Sequence, residues 1–358
     1  MKLKYAVRNT FIGAEECSAL SLIVYHDENE PAIPPNLAKL NISCAPKAGF
    51  YAEAYINKVN VQGSDLIECI IAFRGTNSFV DLIQDYLVLM DAVPDYFHHD
   101  AIPFINTVKK YVQEHYRADL FTYTYTGHSL GALLAQLCYC KELDDLGKIG
   151  TNNCIVFESP GAKTIVEKLI ERQELPIVSL SLAHQYGTVY LSDVNAINTC
   201  HPQLGNIFSV DIPYVFESLP LPSMISYVKD FTFKNQHKML GFFNYWNSNN
   251  FKQSSVIPAG LNEWPVGLKD GFDYYINYNK RVGYWYDYIK AMWDENPNWH
   301  DAYENNSYKF EADFKKKFLI QEWSKFYVLI DKLPAYSLFQ KKHSYHVEIE
   351  KDALPKLC

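Results

Sequence analysis

Ser129 is the residue of this chain best placed to do chemistry. It stands in Gly127-His128-Ser129-Leu130-Gly131, a G-x-S-x-G pattern in which a serine hydroxyl serves as a nucleophile at a sharp turn from strand to helix. In such a turn the serine adopts a strained backbone conformation. Gly127 and Gly131 then keep neighbouring backbones from clashing, and the Oγ is expected to be exposed and attackable. The pattern alone is short, so its flanks carry the weight. Leu120 to Thr126 alternates β-branched and aromatic residues like a buried strand, while Leu130, Leu133, Leu134, Leu137 and Cys138 recur at helical spacing.

A serine hydroxyl is a poor nucleophile near neutral pH. It needs a histidine to take its proton, an acid to orient that histidine, and N–H donors for the oxyanion. Where the serine sits on a strand-to-helix turn of this kind, the partners follow in the order serine, acid, histidine. Asp193 follows the strand-like Thr188 to Leu191, at the carboxyl edge of a sheet, and is the expected acid; Asp211 and Asp230 have weaker strand-end contexts. Of the histidines after the serine, His201 comes only eight residues beyond Asp193, which leaves little chain for a separate strand. His237 follows a longer excursion and is the expected base, with His201 the alternative. Leu130 at the start of its helix supplies one oxyanion donor. Thr76, in the glycine turn ending Ile70 to Thr76, supplies the second. His128 is read as packing and hydrogen-bonding beneath the turn. His98, His99 and Asp100 lack two further spaced ligands, so they are read as a solvated loop. No metal or cofactor is expected.

The elements that must position these residues alternate. Leu66 to Phe73, Leu120 to Thr126, Cys154 to Phe157, Ile177 to Leu182 and Thr188 to Leu191 read as buried strands, separated by helical patterns near 78–92, 101–117, 130–143 and 162–172. That alternation predicts an α/β fold, a mostly parallel sheet flanked by helices. Ahead of it, Glu15 to His26 reads as helix, and Tyr51 to Val59 pairs with Leu66 to Phe73 across a turn at Gly63.

Beyond about residue 245 the alternation stops. All six tryptophans lie there, from Trp246 to Trp323, with dense tyrosine from Tyr274 to Tyr308. The expected division is a catalytic domain over 1–245 and an aromatic-rich, mostly helical region over 246–358. The latter either packs on the sheet or offers an aromatic surface to lipid or a partner. A formal charge of −8 and the absence of any basic stripe argue against nucleic acid. Eight cysteines without metal spacing fit buried thiols made in a reducing compartment. No apolar run is long enough to span a bilayer, and the first residues lack the apolar core of a secretory signal. The expected location is therefore the cytoplasm, or export by a route that needs no signal peptide.

Together, Phe73-Arg74-Gly75-Thr76, Gly127-His128-Ser129-Leu130-Gly131-Ala132 and Phe157-Glu158-Ser159-Pro160-Gly161 resemble, in kind and order, the motifs of the class 3 lipases, the fungal-lipase-like α/β-hydrolases. The likeness covers roughly residues 45 to 245. It implies a triad of Ser129, Asp193 and His237 with oxyanion donors at Thr76 and Leu130, and hydrolysis of carboxylic esters of acyl lipids, phospholipids included, through an acyl-enzyme. His201 to Gly205 resembles a non-catalytic histidine-glycine segment of that family, which lowers His201 as a base. Gln236 stands before His237 where the family often has aspartate. The same machinery supports acyl transfer or thioester cleavage, and the apolar stretches Met90 to Phe97 and Ile212 to Tyr227 are candidates for a lid or acyl-chain groove.

Overall fold

The computed structural model describes residues 12–26, 30–42, 49–61, 63–76, 88, 92–143, 152–192, 197–198, 200–210, 239, 242–244 and 257–258. They form a mixed, mostly parallel sheet flanked by helices, an α/β fold.

The chain enters with α1 (Ala14–Ile23), whose first turn carries Glu15 and Glu16 against the positive end of the helix dipole. The sheet then runs β1 (Ala38–Lys39), β2 (Ala52–Val61), β3 (Ser64–Phe73), β4 (Leu120–His128), β5 (Asn152–Phe157), β6 (Gly187–Leu191), β7 (Asn206–Ser209) and β8 (Ile257–Pro258). These strands lie side by side in chain order. β2 and β3 form the antiparallel hairpin expected across Gly63, whose φ of 86° favours glycine at the turn. β3 through β7 pair in parallel, and β1 and β8 close the edges antiparallel.

Parallel neighbours need crossovers, and helices provide them. α2 (Ile102–His115) joins β3 to β4, α3 (Leu130–Glu142) joins β4 to β5, and α4 (Lys163–Glu171) with α5 (Val178–Tyr186) joins β5 to β6. α3 is buried nearly all round, from Leu130 to Cys140, as a helix enclosed by sheet and neighbouring helices must be. The strands are divided by alternation. Tyr123, Tyr125, Ile67, Ile71 and Val156 pack into the core shared with α2, α3 and α4. Ile70, Ala72, Ile155 and Phe157 pack on Cys17, Leu20 and Ile23 of α1. Burying each large apolar side chain stabilises by about 1.5–3 kcal/mol, which is why both faces of β3 are apolar almost throughout.

Two expectations are corrected, and one strand is not anticipated by the sequence. Ile177 to Leu182, read as a strand, belongs to α5 and the turn before it: Pro176 opens that turn, Ser179 Oγ donates to Cys140 O, and Ile177 is 79% exposed where a core strand would bury it. A six-residue apolar run satisfies both periods, and here the need for a crossover decides. The strand β7 has no sequence signal beyond four residues after Gly205. The region of His98 and His99 is one turn of π-helix, Phe97–Ala101, rather than a loop.

β8 lies beyond residue 245 and pairs with β7, Phe208 opposite Pro258. Most of 77–91, Asp193 with 194–196, and 211–238 with His237 lie outside the described residues, as does the region 246–358 expected to be mostly helical, apart from 257–258. Among the described residues no helix is long and apolar enough to cross a membrane. Cys17, Cys69, Cys138, Cys140, Cys154 and Cys200 are buried and unbridged.

Candidate active site

Ser129 is the hinge between β4 and α3. Its backbone sits at φ 58°, ψ −125°, a conformation that non-glycine residues rarely adopt. The turn is over-determined by its surroundings. Ser129 N donates to Phe157 O at 3.1 Å on the neighbouring strand, and Ser129 O accepts from Ala132 N at 3.0 Å to begin the helix.

The two flanking glycines are required by contact. A Cβ at Gly127 would lie 2.5 Å from Gly131 O, and one at Gly131 would lie 2.2 Å from Phe73 O. Both are far inside van der Waals distance of rigid backbone, so β3, the turn and the first turn of α3 approach one another only as glycine. Gly75 repeats this on the next loop: a Cβ there would fall 2.2 Å from Tyr25 Oη, 2.4 Å from His128 O and 3.2 Å from Ser129 Cβ. The loop carrying Thr76 is thereby pressed directly against the serine.

Ser129 itself is 6% exposed, which corrects the expected exposed hydroxyl. Leu130 opens α3, where the first N–H groups lie outside the intrahelical ladder and the dipole favours negative charge. Thr76 is half-buried and follows Gly75. The structure therefore brings Ser129, Leu130 and the Gly75–Thr76 loop together. Asp193 and His237 belong to the residues it does not describe; Ser192, the residue before Asp193, is buried at the end of β6, where the sequence placed it.

His201 is fully buried, and its Nε2 donates to Val88 O at 2.7 Å. That bond commits Nε2 to a backbone carbonyl. His128 packs beneath the turn as its sequence position suggests: it is 5% exposed and its Nδ1 is hydrogen-bonded to Tyr25 Oη at 2.9 Å. His98 and His99 turn to different carboxylates, Glu174 at 3.1 Å and Asp95 at 3.1 Å. Burial pushes the His98 imidazole below its usual range, against the pull of Glu174. Among the described residues no group of three His, Cys, Asp or Glu gathers as metal ligands would.

Behind the turn runs a polar framework that the sequence does not disclose. Ser21 Oγ on α1 meets Thr126 Oγ1 on β4 at 3.0 Å. Gln136 on α3 donates to Leu204 O at 2.7 Å and accepts from Ser159 Oγ at 2.6 Å, and Gln203 Nε2 donates to Ser159 O and Asn198 O. Glu158 directly follows β5, as Ser129 follows β4, and it too has a positive φ, 51°. Phe157 to Gly161 is legible as a motif, but the part each side chain plays depends on partners from distant segments.

No family model matches the chain. It is 26% identical over 163 residues to an uncharacterized protein of Rickettsia prowazekii (strain Madrid E), a match covering 44% of this chain. The chain thus spans only 42% of the length of that relative. Among solved structures it is similar to a fungal lipase described for an unusual buried polar cluster in its family, with a TM-score of 0.32 and 13% identity over 56% of this chain and 79% of the other. A likeness that distant carries no argument on its own.

Proposed function

We propose that this chain is a serine carboxylic-ester hydrolase acting on acyl lipids, a lipase or phospholipase of the class 3 kind. The observation that carries the reading is the backbone of Ser129 at φ 58°, held between β4 and α3 with Gly75, Gly127 and Gly131 in contact around it. Strain of this sort persists only where surrounding structure imposes it, and it clusters at catalytic positions.

In this reading Ser129 Oγ attacks the ester carbonyl carbon while His237 takes the hydroxyl proton, and Asp193 orients the imidazole and stabilises its charge. The N–H groups of Leu130 and Thr76 receive the oxyanion. Collapse of the tetrahedral intermediate expels the alcohol, which takes the proton from His237. Water, activated by the same histidine, then frees the fatty acid and restores Ser129. The lipid substrate is supported by the resemblance of the three motifs rather than by the geometry of Ser129.

The test is paired. A serine-directed fluorophosphonate should label the protein at Ser129, and Ser129→Ala should abolish both labelling and turnover of p-nitrophenyl esters. Turnover that survives Ser129→Ala sinks the reading.

A further inference from the structure

Glu158 is wholly buried and stands at φ 51°, a backbone that glycine adopts without strain and a β-carbon opposes. Its main chain is pinned, since Glu158 N donates to Tyr190 O at 2.9 Å, and the residue before it provides the carbonyl that receives Ser129 N. Its side chain reaches sideways to the next loop. The carboxylate accepts from Ser192 N at the end of β6, and from Asn198 Nδ2 at 3.2 Å and 3.5 Å. Ser192 and Asn198 are themselves 1% and 0% exposed, and Asn198 is held a second time through its carbonyl, which accepts from Gln203 Nε2 at 2.9 Å.

One carboxylate therefore bonds both Ser192 and Asn198, which stand on either side of Asp193 in the sequence. A buried carboxylate bonded to backbone and amide N–H groups is a rigid anchor, because charge-assisted bonds of this kind are short and directional. The anchor belongs to the strand next to the nucleophile turn, so the serine and the start of the 192–198 segment are referenced to the same two residues, Phe157 and Glu158.

We propose that Glu158 is a positioning residue for the catalytic acid: by holding Ser192 and Asn198, on either side of Asp193 in the chain, its carboxylate serves to bring Asp193 to the base. This rests on reading Asp193 as that acid. The role requires a long side chain ending in an acceptor oxygen at a position where the backbone alone would favour glycine. It also predicts that Glu158 acts only through Asp193.

The test uses two variants suited to left-handed backbone, Glu158→Gly and Glu158→Asn, neither of which reaches Ser192 N, beside the longer Glu158→Gln, whose amide oxygen still accepts from it. With p-nitrophenyl butyrate, Glu158→Gly and Glu158→Asn should lose about 10- to 100-fold in kcat with KM within about twofold. The acid limb of their kcat/KM profile should move to lower pH, because a histidine without a well-placed carboxylate gives up its proton more readily. Glu158→Gln should retain most of kcat. In an Asp193→Asn background, Glu158→Gly should cause no further loss.

Wild-type kcat and pH profile in Glu158→Gly would overturn the proposal while leaving the triad intact. A further loss in the Asp193→Asn background, or failure of both short variants to fold, would assign Glu158 to general stability and overturn it equally. Full turnover by Asp193→Asn alone would instead remove the underlying reading of the acid, and the proposal with it.

Discussion

The hydroxyl of Tyr25 is hydrogen-bonded to Nδ1 of His128 at 2.9 Å, with the two rings edge to face at 5.9 Å between centroids. A residue just past α1 is thus tied to the residue before the nucleophile, and the same hydroxyl stands over Gly75. The first helix props the serine turn and the Thr76 loop together. Tyr25→Phe keeps the ring and loses the bond. It should cost about 1 kcal/mol, read as a fall of about 2 °C in melting temperature, with turnover lowered as well.

Strain at Ser129 should be measurable as stability. Ser129→Ala keeps a β-carbon at φ 58°, whereas Ser129→Gly removes it. Both should be inactive, yet Ser129→Gly should unfold at higher denaturant than Ser129→Ala, by about 1 kcal/mol once the greater unfolded freedom of glycine is allowed for. Equal midpoints would mean that the turn holds no strain.

Two glycines provide a controlled contrast. Gly63 has φ 86° and nothing within 4 Å of where a Cβ would stand, while a Cβ at Gly131 would fall 2.2 Å from Phe73 O. Gly63→Ala should cost only the backbone strain, about 1 kcal/mol. Gly131→Ala forces β3 and α3 apart and should cost about 3 kcal/mol or more, seen as lost soluble yield or a collapsed thermal transition.

Two buried carboxylates on β2 and β3 should give opposite pH responses. Burial pushes the Glu68 carboxyl up to about 7, with Glu16 adding to the rise and bonds from Asn57 and the Ile12 backbone opposing it. The folded chain then holds a proton that the unfolded chain releases near the ordinary value of 4.5, so stability falls as pH rises between about 4.5 and 7. The loss across that window is on the order of 3 kcal/mol. Glu68→Gln should flatten that fall in a series of urea melts. Burial also pushes Glu53 up, but bonds from Lys39, Tyr51 and Tyr55 outweigh it and hold the carboxyl below its ordinary value. Its contribution is present above the unfolded value and is lost as pH drops through the folded one. Glu53→Gln should therefore weaken the protein most at neutral pH and least in acid.

What can be read from the sequence is what local chemistry dictates. The Gly127–Gly131 pattern with its strand and helix, the hairpin about Gly63 and the succession β3, β4, β5 and β6 all follow from periodicity and turn residues, and they stand in the structure. Ile177 to Leu182 misleads because a short apolar run suits either period until the connection it must make is known. The roles of Tyr25, Gln136 and Glu158 are hidden for a different reason: each is defined by a partner far along the chain, and nothing in a residue's neighbours announces which distant backbone it will meet. The buried state of Ser129 is likewise invisible, since burial belongs to the assembled molecule.

The strict chain order of the strands has a consequence for synthesis. From β1 to β7 each new strand adds beside the one just made, so as the chain emerges from the ribosome the sheet can grow by accretion, without reserving a gap for a later arrival. β8 keeps that order but comes some fifty residues after β7 and completes the edge. Among the described residues β8 is the strand that pairs with the outer flank of β7, so a truncation before Ile257 would remove that pairing.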